Sequence, residues 1–183
     1  ASKYSKLKCA AFSASVLPQT STVDIDKKED EIYLVVPGSI EYKRRDYEFL
    51  KKIATYPTDK KLKIILLGNA QKGNGPDFIE WIAKNKLDDK FIYFDRFVSN
   101  EVFDSYMHKC DYLLALIEPD SIGAEDYINH KISGTFIQAV SYQKSMLCNS
   151  IFKGIANFDY NAIFYKNIDE LFDLINSKAT LSE

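Results

Sequence analysis

Short apolar runs alternate along this chain with longer stretches in which apolar residues return every three or four positions. The runs lie at residues 32–36 (Ile-Tyr-Leu-Val-Val), 62–67, 91–94 (Phe-Ile-Tyr-Phe), 112–117, 145–148 and 162–165. Each has strand length and several are rich in β-branched or aromatic residues, so each predicts a buried strand. Between them the spacing turns helical. Tyr47, Phe49, Leu50 and Ile53 mark a helix over 46–56 that Pro57 stops. Phe78, Ile79, Trp81 and Ile82 follow a loop holding Gly73 and Gly75, and Ser99 caps a helix carrying Val102, Phe103, Tyr106 and Met107. A last helix opens at Asn167 or Ile168 and turns Leu171, Phe172, Leu174 and Ile175 inward.

Apolar strands alternating with amphipathic helices mean a parallel sheet covered on both faces. The fold class is α/β, a doubly wound, Rossmann-like parallel sheet in a single domain spanning 32–183. Residues 1–31 differ: a basic start, one extended piece around Cys9 and Val16, a polar run, then a charged, solvated connector from Asp24 to Glu31. In such sheets ligands bind beyond the carboxyl ends of the strands, where the strand order reverses. The loops at Gly38, Gly68, Phe97, Glu118 and Ser133 should therefore share one rim.

Composition narrows the chemistry. With a net charge of −2 and pI near 5.8, the 183-residue chain offers no basic field for nucleic acid or an anionic membrane. No run approaches the roughly 20 apolar residues of a membrane span, and the basic N-terminus lacks the apolar core of a signal peptide. Cys9, Cys110 and Cys148 are scattered, with no metal-type spacing, which suits a reducing, cytoplasmic compartment.

The richest stretch is 127–148. Ser133-Gly134-Thr135 opens an apolar helix, and His130 and Lys131 stand before it. A helix start presents free amides and about half a positive charge, an anion site to which a lysine adds its own. Lys43, Arg44 and Arg45 lie near the first glycine turn. Of these, Lys43 and Arg44 are favoured over Arg45, since three consecutive residues cannot all face one site. No catalytic residue can be named: the chain has no G-x-S-x-G elbow, Walker loop or metal cluster. His108, at a helix end, reads as a surface or packing residue. Tyr127 and Lys131 have the spacing of the short-chain dehydrogenase pair, but the glycine fingerprint that nicotinamide cofactors need after the first strand is replaced by Val36-Pro37-Gly38-Ser39.

Several of these segments, in this order, resemble the C-terminal domain of GT-B glycosyltransferases. They are Val36-Pro37-Gly38-Ser39-Ile40 with Lys43-Arg44-Arg45-Asp46-Tyr47, then Leu66-Leu67-Gly68-Asn69, then Phe94-Asp95-Arg96-Phe97-Val98 leading to Cys110-Asp111-Tyr112, and last Lys131-Ile132-Ser133-Gly134-Thr135-Phe136-Ile137-Gln138-Ala139. The likeness runs over about 32–175. It implies a nucleotide-sugar-binding domain of an enzyme that moves a hexose from a UDP- or GDP-sugar to a saccharide acceptor, in polysaccharide biosynthesis.

The resemblance also assigns residues. Gly38, Lys43, Arg44, Gly68, Lys131, Ser133, Gly134 and Thr135 would meet the donor phosphates, Gln138 the ribose, and Phe97 and Val98 the base. Gln138 stands where the family often carries a ribose-binding glutamate, and Lys131 or a neighbour replaces another. No metal and no cofactor beyond the nucleotide sugar is implied. The acceptor-binding N-terminal domain is the missing partner, without which this half is expected to be inactive. The complete enzyme would work in the cytoplasm, at the inner face of a membrane. The competing reading is a non-catalytic α/β interaction module, with Tyr33, Tyr42, Tyr127 and Tyr160 as interface aromatics.

Overall fold

The computed structural model describes residues 22–129, 131–155 and 161–179. The extended piece expected near Cys9 and Val16, His130 and Tyr160 lie outside the described residues. The strands are β1 (Glu31–Pro37), β2 (Lys61–Asn69), β3 (Phe91–Phe94), β4 (Tyr112–Leu114), β5 (Met146–Asn149) and β6 (Ala162–Tyr165). All their pairings are parallel, in the order β3-β2-β1-β4-β5-β6. The order reverses between β1 and β4, so the crevice predicted for doubly wound sheets opens there.

Residue alternation along the strands builds two cores. Leu34, Val36, Ile64 and Leu66 face helices α1 (Tyr47–Thr55), α2 (Gly75–Lys84) and α6 (Ile168–Asn176). Tyr33, Val35, Ile65 and Leu67 face α3 (Asn100–Lys109), α4 (Ala124–Asn129) and α5 (Gly134–Ser141). Strands buried on both faces need apolar residues at every position, which is why their sequences read as runs. Leu50, Ile53, Phe78 and Leu171 are wholly buried, each worth about 1.5–3 kcal/mol relative to exposure.

Helix starts are fixed by local hydrogen bonds. The Asp46 carboxylate accepts from Phe49 N at 2.8 Å to cap α1, and Asn167 accepts from Glu170 N at 2.9 Å to cap α6. No helix among the described residues is long and apolar enough to cross a membrane.

Four details depart from the sequence reading. The run 112–117 is strand only to Leu114, because Leu116 turns the chain into the left-handed region at φ 52°. The polar segment after it, read as a loop, contains α4. Tyr33 is not an interface aromatic: it is 2% exposed, in the core under α3. The part of the charged connector that is described is pinned to the domain rather than merely solvated. Val23 N donates to Ser105 Oγ at 2.8 Å, and Lys27 Nζ reaches Asp111 Oδ2 at 2.6 Å. That same carboxylate oxygen accepts from Tyr33 N at 2.7 Å, tying the connector to the start of β1.

Candidate functional site at the strand-order reversal

The crevice begins with two glycines that touch each other. Gly38 ends β1 at φ +95°, a conformation that favours glycine, and its N–H donates to Leu67 O at 3.0 Å. Gly68, in β2, faces it so closely that a Cβ would lie 2.2 Å from the Gly38 carbonyl oxygen. The β2–β3 register shifts between Leu66 and Asn69, at the same place. The room made by Gly68 is thus filled by the neighbouring turn. Gly38 is the glycine that faces a charged side chain.

That side chain is Arg45. Its Nη2 donates to Pro37 O at 2.5 Å and meets Thr135 Oγ1 at 3.5 Å, while Nη1 donates to Ser39 O at 3.1 Å. A Cβ on Gly38 would be 3.5 Å from Nη2, so the guanidinium lies across the glycine turn and joins the end of β1 to the start of α5. Its Nε is buried with no hydrogen-bond partner among the described residues. Burial pulls its pKa below that of a free guanidinium, though arginine stays charged in proteins.

Of the three consecutive cations, Arg45 is the one that lies against Gly38, while the favoured Lys43 and Arg44 point elsewhere or to solvent. Residues 42–45 form turns ahead of α1 rather than a helix. Arg44 is 60% exposed and pairs with Glu41 at 2.9 Å, and Lys43 is exposed. Sequence spacing had no means of showing which cation folds back over Gly38.

The start of α5 is built as read, with one change of detail. Ser133 Oγ caps the helix by accepting from Thr135 N at 3.3 Å, which occupies one of the free amides. A Cβ added at Gly134 would meet nothing within 4 Å, leaving the first turn open. Thr135 is wholly buried, and Gln138 is half-buried one turn further on. Lys131 stands outside this group. It is exposed and paired with Asp126 at 2.5 Å, 6.0 Å above the Tyr127 ring; the Asp126 hydrogen bond raises its pKa.

After β3 the two residues read as a base wall part company. Phe97 is 80% exposed beside an open groove of about 570 Å³, whereas Val98 is 8% exposed and packs into the core with Met107. Val98 anchors the loop that presents Phe97. His108 lies against Tyr142 with ring centroids 5.4 Å apart, a packing contact.

Sequence reasoning passed over a buried network at the ends of β4–β6. Glu118, 7% exposed, accepts from Tyr165 Oη at 2.5 Å and from Asn149 Nδ2 at 2.8 Å. Burial raises its pKa, while the two hydrogen bonds act in the other direction. A charged residue closing an apolar strand run was the available signal. A separate hollow of about 440 Å³ lies at the opposite, amino-terminal edge of the sheet, where Lys27, Asp111 and Lys178 are among its walls. No group of three or more metal-ligating side chains forms among the described residues.

No protein-family model and no curated protein matches this sequence. Among solved structures, the chain is similar to the C-terminal domain of a glycosyl transferase group 1 family protein (LpcC) from Francisella tularensis. The TM-score is 0.53 at 14% identity, over 79% of this chain and 75% of that one. The likeness is one of fold.

Proposed function

We propose that this chain is the nucleotide-sugar-binding domain of a glycosyltransferase that moves a hexose from a UDP- or GDP-sugar to a saccharide acceptor. One observation carries the reading: the Arg45 guanidinium spans Gly38 and Thr135 at the strand-order reversal, setting a fixed positive charge beside the open first turn of α5. A cation, free amides and a glycine turn at one point suit a diphosphate. The solved domain of similar fold, described as part of a glycosyl transferase, supports the same class.

In this scheme the bond between the sugar and the donor diphosphate breaks, and its electron pair stays on the diphosphate oxygen. Arg45 and the α5 amides stabilise that charge without a metal. The acceptor hydroxyl forms the new bond and gives its proton to a base. Acceptor and base would come from a second domain beyond these 183 residues. Gln138 reaches the ribose and Phe97 stacks on the base. Lys43, Arg44 and Lys131, exposed as they are, attract the anionic donor from solvent. The cytoplasm, at the inner face of a membrane, is the setting that fits such an enzyme.

A second reading has its own observation. Phe97, Ile122 and Ile132 are 80%, 73% and 64% exposed, all in loops at the carboxyl ends of the strands, as an interaction module would require. Titration with UDP and GDP, followed by amide shifts, separates the two. Saturable shifts at Gly134, Gln138 and Phe97 are expected. Absence of shifts with both nucleotides, with a partner chain captured at the same rim, would replace the donor reading with the interaction module.

A further inference from the structure

The connector ahead of β1 lies along α3 and runs against the direction of that helix. Lys27 Nζ meets the end of α3, donating to Lys109 O at 3.0 Å and to Asp111 Oδ2 at 2.6 Å. Val23 N donates to Ser105 Oγ at 2.8 Å, one turn nearer the helix start. Tracing the connector back from Lys27 to Val23 thus climbs roughly 6 Å of α3, from the amino-terminal edge of the sheet toward the carboxyl rim. It points at the groove beside Phe97, whose walls include Phe94, Val98 and Val102.

Two lines of contact join this strap to the groove. Ser105 Oγ, which accepts from Val23, donates in turn to Glu101 O at 2.7 Å, in the first turn of α3 next to Val102. The second line is aromatic. The Lys27 ammonium stands 5.1 Å from the centre of the Tyr33 ring, Tyr33 stacks on Tyr106 at 6.4 Å, and Tyr106 meets Phe94 edge to face at 5.7 Å. Ile25 packs on the core cluster that also holds Val98, Val102 and Tyr106. The inner wall of the groove is therefore backed by residues that the strap touches.

The hold on the strap is concentrated at Lys27. Its side chain is 17% exposed and its partner Asp111 37%, so the pair is partly shielded from water. The pair of Asp24 with Lys109 is 3.9 Å long, with the aspartate 98% exposed, and adds little. Asp111 Oδ2 also accepts from Tyr33 N at 2.7 Å, so β1 keeps its bond to that carboxylate when Lys27 leaves. The strap can come away without opening the sheet. We propose that residues 23–28 are a releasable strap, latched by Lys27 on Asp111, through which displacement of the chain ahead of Val23 reshapes the groove beside Phe97. The coupling holds whatever the groove binds.

The test uses the full 183-residue chain, with hydrogen exchange and amide shifts read by NMR. Lys27→Met keeps the apolar stem against Tyr33 and removes the ammonium. It should speed exchange of the Val23 amide about five- to tenfold, the value of a part-exposed hydrogen bond from a charged donor. It should also move the amides of Val98 and Val102. Asp111→Asn, which can still accept from Tyr33 N, should do the same. Lys109→Met keeps the backbone carbonyl that Lys27 uses and should change Val23 exchange about twofold or less. Faster exchange at Val23 with Val98 and Val102 unmoved overturns the proposal, since the connector would then be a tether only. An equal response to Lys109→Met also overturns it, because the latch would not lie at Lys27. Lost protection of the Leu34 and Ile64 amides, in the middle of the sheet, would show a folding contact in place of a latch and overturn it as well.

Discussion

The backbone N–H of Asp46 donates to the carbonyl oxygen of Leu116 at 2.7 Å, while the Asp46 carboxylate caps α1. One residue thereby joins the helix after β1 to the turn after β4 across the reversal of strand order. Leu116 takes an uncommon left-handed conformation to present that carbonyl, at a cost of about 1–3 kcal/mol for a non-glycine residue. Asp46→Ala should cost about 1 kcal/mol through loss of the cap, and Asp46→Asn much less, since asparagine caps as well. Urea unfolding of the two variants checks this. Equal losses would mean that the carboxylate acts by charge instead of as a cap.

Gly68→Ala should be among the most damaging small substitutions in the chain. The new methyl would fall 2.2 Å from the Gly38 carbonyl, and relief would require β1 and β2 to part. A loss of about 2–4 kcal/mol is expected. Gly134→Ala, with open space around its Cβ, should leave stability within about 0.5 kcal/mol of the parent. Thermal melts of the two, side by side, give the contrast.

Glu118 sets a pH dependence whose sign follows from burial. Its folded pKa is raised, so between the unfolded and folded values the native state holds more protons. Its contribution is therefore full below the unfolded value of about 4.3 and is lost as pH rises through the raised folded value. Glu118→Gln can still bond Asn149 and Tyr165 but carries no charge. The melting temperature of the variant minus that of the parent should thus increase as the pH is taken from 4 upwards, as far as the raised value. A difference flat across that range would show that Glu118 is ionised as easily in the fold as out of it.

Arg45→Met should reduce UDP or GDP binding by about 10- to 100-fold, the value of hydrogen bonds from a charged donor. Arg44→Met, at an exposed ion pair with Glu41, should change it about twofold or less. Calorimetric titration of both variants is the measurement. The reverse ranking would return the phosphate contact to the residue favoured by spacing alone.

The class of this fold was legible because strands buried on both faces must be apolar at every step, and the runs at Ile32 and Leu62 show that directly. The capped start of α5 was legible too, since Ser133 announces its own hydrogen bond. What could not be read depended on where the chain folds back. Nothing in the string Lys43-Arg44-Arg45 tells that the third cation crosses Gly38, or that Val98 turns inward while Phe97 turns out. Leu116 hid a strand end inside an apolar run, because leucine carries no mark of a left-handed turn.

The ladder between β1 and β2 runs unbroken from Glu31–Lys61 to Pro37–Leu67, whereas β1 and β4 are paired at Leu34–Tyr112 and Val35–Leu113. The sheet is therefore two panels joined along a narrow seam, and the seam ends at Gly38 and Arg45. A guest gripping both Arg45 and the first turn of α5 would fasten one panel to the other like a rivet. Occupancy would then be felt as slower hydrogen exchange along β4, in the middle of the sheet, as well as at the rim where the guest sits.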